Sequence, residues 1–250
     1  MVSEMQNWFD RGGTAYAKYR PDYPDDLAHF LADIAPDTRL AFDVGCGSGQ
    51  FTRQLAECFV AVVGSDPSID QIANAVPHPR VRYEVGPAER ICAEDASVSL
   101  ITAAQAAHWF DLPRFYAEAR RVASRGAVIA LVSYGVAQFD PDFSGRFQSF
   151  YNDEIGPFWP PERELVDTGY ASMEFPFREL PAPELEIVRT WTADDFLGYL
   201  STWSAVRRAR DAGNGEVVDA FARDVTTIWG DQNRKRTIRW PINMRLGVIE

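Results

Sequence analysis

Two carboxylates and three alternating glycines carry the densest chemical signal in the chain. Asp43 stands two residues before the run Gly45-Cys46-Gly47-Ser48-Gly49-Gln50, which follows the apolar stretch Leu40–Val44. Glycines at alternate positions let the backbone come close to a ligand, because no Cβ intervenes. The helical pattern that begins near Gly49 would aim its free N–H groups at the same place. Asp66 ends the next apolar run, Val60–Ser65. An acid roughly 20 residues past such a turn can accept hydrogen bonds from both hydroxyls of a ribose. The spacing disfavours a dinucleotide. Its G-x-G-x-x-G fingerprint would put a third glycine at position 50, which is Gln50, and the Asp43 carboxylate would repel a pyrophosphate. His108, in Gln105-Ala106-Ala107-His108-Trp109-Phe110-Asp111, follows a fourth apolar run and is one of three histidines. It is the residue suited to take a proton near neutral pH or to hydrogen-bond a substrate. His29 and His78, in a helical pattern and a proline turn, are read as structural.

The D-x-G-x-G-x-G pattern from Asp43 to Gly49 resembles motif I of the class I S-adenosylmethionine-dependent methyltransferases. Asp66-Pro67-Ser68 resembles their motif II. The segment at His108 is similar to the A-x-A-x-H-W-F/L-D motif of the subgroup that includes trans-aconitate methyltransferase-like small-molecule enzymes. The resemblance implies a Rossmann-like fold and S-adenosylmethionine as cofactor. Its glycine loop (Gly45, Cys46, Gly47, Gly49, Gln50) would pass under the methionine part, with Asp43 on the amino group. Asp66 and Pro67 would take the ribose. Gln71 occupies a place where relatives often set a methionine on the adenine. Gly86-Pro87-Ala88-Glu89 departs from the usual acid before the alanine, which leaves the Ala88 N–H or Glu89 for the adenine edge. Gln105 closes the cofactor set. The segment Tyr16 to Pro24 resembles the family's N-terminal lid, with Tyr19 and Arg20 toward the cofactor. On the acceptor side the resemblance points to His108 as the catalytic group, with Trp109, and to Trp203 and Ser204 in Ser201–Val206. No metal is expected.

The implied reaction is methyl transfer to a small molecule, on a carboxylate or hydroxyl oxygen, with Arg20, Arg207 or Arg239 gripping an acid. A carboxylate is already ionised at neutral pH and needs no base. Two alternatives are a protein of the same fold that binds the cofactor without methyl transfer, as a regulator or cyclase, and a nicotinamide-dependent oxidoreductase.

Positioning these groups asks for a first strand at 40–44, a helix at 49–59, and strands at 60–65, 81–85, 97–104 and 126–132 with helices between. Repeated β-α units make a doubly wound, mostly parallel α/β sheet. Seven strands are expected in all, with 185–191 and 237–246 completing the sheet and the last an antiparallel edge that tolerates Pro241. Residues 134–183 interleave aromatics with prolines and contain a helical pattern over 142–154, read as a substrate cover inserted after strand five. The chain then divides into a lid (1–24), a cofactor core (25–133), the cover (134–183) and a completing segment (184–250), within one domain.

Composition bounds the partners. A net charge of −11 argues against nucleic acid, whose binding rests on basic patches. No stretch approaches the roughly 18 uninterrupted apolar residues of a membrane span, and three scattered cysteines suit a reducing cytoplasm. A monomer or homodimer acting on a small-molecule acceptor is expected.

Overall fold

The computed structural model describes residues 18–231 and 233–250; the expected lid therefore lies outside the described residues over 1–17. Helix α1 (Asp25–Ile34) begins after extended Pro24, with Asp25 and Asp26 in its first turn, where acids favour the helix dipole. It buries Leu27, Ala28 and Leu31. Strand β1 (Leu40–Val44) is buried at all but its first residue. Helix α2 (Gln50–Cys58) buries Phe51, Thr52, Leu55 and Ala56 on one side. Strand β2 (Ala61–Asp66) is followed by the short α3 (Ile69–Ala73), where Ser68 Oγ caps the helix by accepting from Gln71 N at 3.3 Å. Strands β3 (Val81–Val85) and β4 (Val98–Ala104) come next. Helix α4 (Leu112–Val122) has Asp111 as its cap and Pro113 in its first turn, and it runs directly into β5 (Ala123–Tyr134).

Strands β3, β2, β1, β4 and β5 are parallel neighbours in that order. Successive residues of each strand enter opposite layers. Ala41, Leu100 and Val128 belong to one buried cluster, and Phe42, Ile101 and Ile129 to the other. A parallel sheet covered on both faces needs apolar residues at both parities, which is why these strands read as continuous apolar runs.

The expected helix over 142–154 is two pieces: α5 (Pro141–Ser149) and a π-turn at Phe150–Glu154. Helix α6 (Arg163–Asp167) and the two-residue β6 (Arg178–Glu179) follow. Strand β7 (Leu185–Trp191) leads into α7 (Ala193–Ser201), which starts in a capping box of Thr192 and Asp195. Helices α8 (Ser204–Asp211) and α9 (Gly215–Trp229) precede β8 (Arg236–Val248). Much of the aromatic content of the cover makes a satellite core with the C-terminal helices. Phe150 stacks on Phe221 with ring centroids 3.8 Å apart, and Phe143 packs edge-on to Phe196 and Trp229.

Among the described residues the seven expected strands are present, and β6 makes an eighth. The last strand is antiparallel, yet it is not an edge, which corrects the sequence expectation. The first half of β8, to Ile242, pairs with β7, its second half pairs with β5, and β6 adds at Gly247 and Val248. Pro241 sits beside Ile242, the residue at which β8 passes from β7 to β5. A proline lacks only the donor, and its carbonyl still accepts from Gly135 N at 2.8 Å. The handover point thus does for Pro241 what an edge position would have done.

Candidate active site

The carboxyl ends of β1, β2 and β4 converge on one cavity of about 550 Å³, within the range of small-molecule sites. The glycine loop forms its floor. Gly45 has φ +70°, and a Cβ there would run into the Ala106 side chain. Gly49, at φ +82°, starts α2 with no room for a Cβ against the Tyr83 ring. The loop is held from behind by Ser65 O, which accepts from Gly45 N at 2.7 Å and Cys46 N at 2.9 Å. Asp66 fixes it from the next strand: its carboxylate accepts from Gly47 N and from Ser68 N, each at 2.9 Å. That carboxylate also lines the cavity.

Asp43 lines the cavity from beneath the loop. It is 1% exposed, and its two oxygens accept the hydroxyls of Thr52 and Thr102, both at 2.7 Å. The acid therefore bolts β1 to α2 and β4 beneath the loop. Burial pushes its pKa up to about 6 against the pull of the two hydroxyls.

Thirteen of the residues expected at the site line the cavity. They are Arg20, Asp43, Gly45, Cys46, Gly47 and Gln50 on the first-strand side, Asp66, Pro67 and Gln71 beside the second, and Ala88, Glu89, Gln105 and Trp109 opposite. Gln71 is 3% exposed and its Oε1 has no hydrogen-bond partner among the described residues, so the wall offers a buried acceptor to a ligand's donor. Glu89 Oε1 accepts from Asp111 N at 2.9 Å. Gln105 holds φ +55°, an uncommon conformation for a residue with a Cβ, and its amide donates to Tyr134 O at 3.2 Å.

Five expected residues do not line the cavity. Gly49 lies behind the loop, and Tyr19 packs against Gly198 of α7. Trp203 is a packing residue, in ring contact with Trp159, Tyr199 and Tyr151, and Ser204 begins α8. His108 sits one layer back on a short 3-10 turn, Ala107–Trp109, with its Nδ1 2.9 Å from the Tyr170 hydroxyl. Tyr170 is fully buried and its pKa is driven up by that burial, so its proton stays on oxygen. We assign that O–H as donor to Nδ1, which leaves the proton of neutral His108 on Nε2. Burial, then the charges of Arg163 and Arg20, push the His108 pKa down to about 3.

Other wall residues gave no motif. Tyr134 ends β5, and its hydroxyl accepts from Arg20 Nη1 at 2.8 Å. Arg20 also reaches Thr202 O at 3.3 Å, and its carbonyl is held by Gln50 Nε2 at 3.2 Å. Phe110, Pro160, Pro161, Glu162 and Arg208 complete the enclosure. The proline pair lay within the segment expected to cover the substrate. Arg208, rather than the neighbouring Arg207, faces the cavity because a helix turns by 100° per residue. Arg239 is spent on a surface pair with Glu186.

A sheet of order 3-2-1-4-5 with an antiparallel strand beyond, and a glycine loop over an acid at the end of β2, mark a nucleoside-binding α/β fold. The comparisons agree. Residues 42–131 match the methyltransferase domain family. A Dictyostelium discoideum protein provisionally named a methyltransferase is 36% identical over 94% of this chain and 92% of its own length. A solved structure from Anaeromyxobacter dehalogenans, provisionally described as a type II methyltransferase, has a TM-score of 0.86 and 46% identity, covering 92% of this chain and 98% of that one. A Mycobacterium tuberculosis methyltransferase without assigned function is 36% identical over 52% of this chain and 53% of its own. The chain belongs to the class I S-adenosylmethionine-dependent methyltransferases.

Proposed function

We propose that the protein transfers the methyl group of S-adenosylmethionine to an oxygen of a small molecule, and that this oxygen belongs to a carboxylate. The features that support the cofactor are a Cβ-free loop for close approach, the Asp66 carboxylate on the wall for ribose hydroxyls, and the Gln71 Oε1 for an amino group. Bound there, S-adenosylmethionine supplies a methyl group activated by its sulfonium charge. The chain's contribution is alignment and a dry enclosure, with Trp109, Phe110, Tyr134 and the Pro160–Pro161 wall excluding water.

The observation that carries the choice of acceptor is the placement of His108, off the cavity wall with its Nδ1 2.9 Å from the Tyr170 hydroxyl. A buried imidazole so placed, its pKa pushed down by burial, is a poor base toward an alcohol or ammonium group. A carboxylate needs none. His108 then serves as a neutral hydrogen-bonding group set by Tyr170. One relative points the same way: a Dechloromonas aromatica protein, 36% identical over 45% of this chain and 42% of its own, is named a malonyl-[acyl-carrier protein] O-methyltransferase.

The test is formation of S-adenosylhomocysteine from S-adenosylmethionine with matched carboxylic acids, alcohols and amines. Turnover with acids, and a kcat/KM flat from about pH 5.5 to 8.5, are expected. A limb near pH 6 to 7 that vanishes in His108→Asn would restore the histidine as base and reject the carboxylate assignment.

A further inference from the structure

A second cavity, of about 530 Å³, lies where α1, α2 and Arg189 of β7 meet the segment 20–24. Tyr23 and Gln50 line both this cavity and the first. Side chains fasten the segment between them, one carbonyl at a time. Arg20 O accepts from Gln50 Nε2 at 3.2 Å, Asp22 O from Arg189 Nη2 at 2.8 Å, and Tyr23 O from Gln54 Nε2 at 2.6 Å. The wall of the second cavity is thus preformed.

Two side chains that line it, on consecutive residues of α2, each carry a buried polar atom with no hydrogen-bond partner among the described residues. They are Arg53 Nε, a donor, and Gln54 Oε1, an acceptor. The Gln54 amide is oriented by its other end, because Nε2 donates to Asp25 Oδ1 at 3.1 Å as well as to Tyr23 O. The oxygen is therefore the atom left over. The other charges in the wall have partners. Arg189 pairs with Asp22 at 3.4 Å and Glu57 with Arg80 at 3.2 Å, whereas Arg53 enters no ion pair among the described residues. Leaving a buried donor and a buried acceptor open is costly, and one ligand closes both if it brings an acceptor to Arg53 and a donor to Gln54. Charge narrows the class. Asp22, Asp25 and Glu57 oppose a simple anion, Arg53 and Arg189 oppose a simple cation, and an apolar body would leave both atoms unmet. A zwitterion satisfies every one of these groups, with a carboxylate on the guanidinium and an ammonium group on the two oxygens beside it.

We propose that this second cavity is a binding site for a small zwitterion of the α-amino acid class, its carboxylate held by Arg53 and its ammonium group by Gln54 Oε1 and the Asp25 carboxylate. The site is distinct from the cavity of the glycine loop, and the proposal stands apart from the choice of methyl acceptor there.

The experiment is calorimetric titration of the whole protein saturated with S-adenosylhomocysteine, whose own amino-acid end then fills the first cavity. The probes are glycine, L-leucine, L-glutamate and L-lysine, each beside its N-acetyl form, which lacks the ammonium group, and its carboxamide, which lacks the carboxylate. At least one free amino acid binds about tenfold or more tighter than both of its derivatives. Arg53→Gln brings that amino acid and its carboxamide within about twofold of each other and leaves S-adenosylhomocysteine binding unchanged. The derivative series needs no variant, so it decides the point should the glutamine fail to fold. Absence of binding by all four amino acids overturns the proposal. So does equal affinity for a derivative, a preference that survives Arg53→Gln, or binding that S-adenosylhomocysteine abolishes. If S-adenosylhomocysteine itself gives no heat, the cofactor reading fails, and the same series without it still reads the second site through Arg53→Gln.

Discussion

Asp66 and Asp43 look alike in the sequence and differ in what surrounds them. Asp66 ends β2 on the cavity wall and accepts two backbone N–H groups. Replacing it with alanine removes the ribose acceptors and also frees the Gly47 and Ser68 amides. A loss of about 2 kcal/mol in S-adenosylhomocysteine binding is expected by calorimetry, and an unchanged dissociation constant would refute the ribose role. Asp43 has both oxygens turned to threonines and is sealed from solvent. A resemblance at the level of motifs cannot separate these cases, because the difference lies in Thr52 and Thr102, 9 and 59 positions away.

Among the elements, the loop between β1 and α2 is the most constrained. The left-handed conformation of Gly49 and the Tyr83 ring across from it leave no space for a side chain. Gly49→Ala must either push Tyr83 off its position on β3 or unwind the first turn of α2. Either response tilts the loop that carries Gly47 against Asp66. Thermal unfolding is expected to report a destabilisation of about 1–3 kcal/mol, with weaker cofactor binding in the same sample. Gly86, by contrast, has nothing within reach of a Cβ, and Gly86→Ala should leave both measurements near their starting values. Equal effects of the two substitutions would deny both the left-handed requirement and the Tyr83 contact as causes at Gly49.

For the whole molecule, two buried groups pull the pH dependence of stability in opposite directions. The folded pKa of Asp43 lies at about 6, above its ordinary 3.8, so the folded state holds the extra proton. Stability is then lost as pH rises between those values, on the order of 3 kcal/mol for this group at neutral pH. His108, brought down from 6.5 to about 3, does the reverse: the unfolded chain holds the extra proton, and stability is lost as pH falls from 6.5 toward 3. In the window of pH 4 to 6 the two slopes partly cancel. Asp43→Asn should make the melting temperature climb more steeply with pH there, and His108→Asn should make it climb less or fall. Parallel melting curves for all three proteins would deny that either group is buried with a shifted pKa.

The arrangement of strands was legible because burial on both faces of a parallel sheet writes itself as local apolar runs. Leu40–Val44, Val81–Val85 and Leu185–Trp191 were readable to the residue, and the capping chemistry of Thr192 marked α7. The glycine loop and Asp66 were readable for a related reason, since close backbone approach demands glycine at fixed spacing. Tertiary structure alone decided that β8 runs inside the sheet, because pairing partners leave no periodic mark on a strand. It alone joined His108 to Tyr170 across 62 positions and fixed Arg163 between Tyr151 and Asp167. A local pattern records whether a side chain is buried. Which charge or hydroxyl it meets there depends on how distant elements pack, and that meeting sets the protonation of His108 and pairs Arg163 with Asp167.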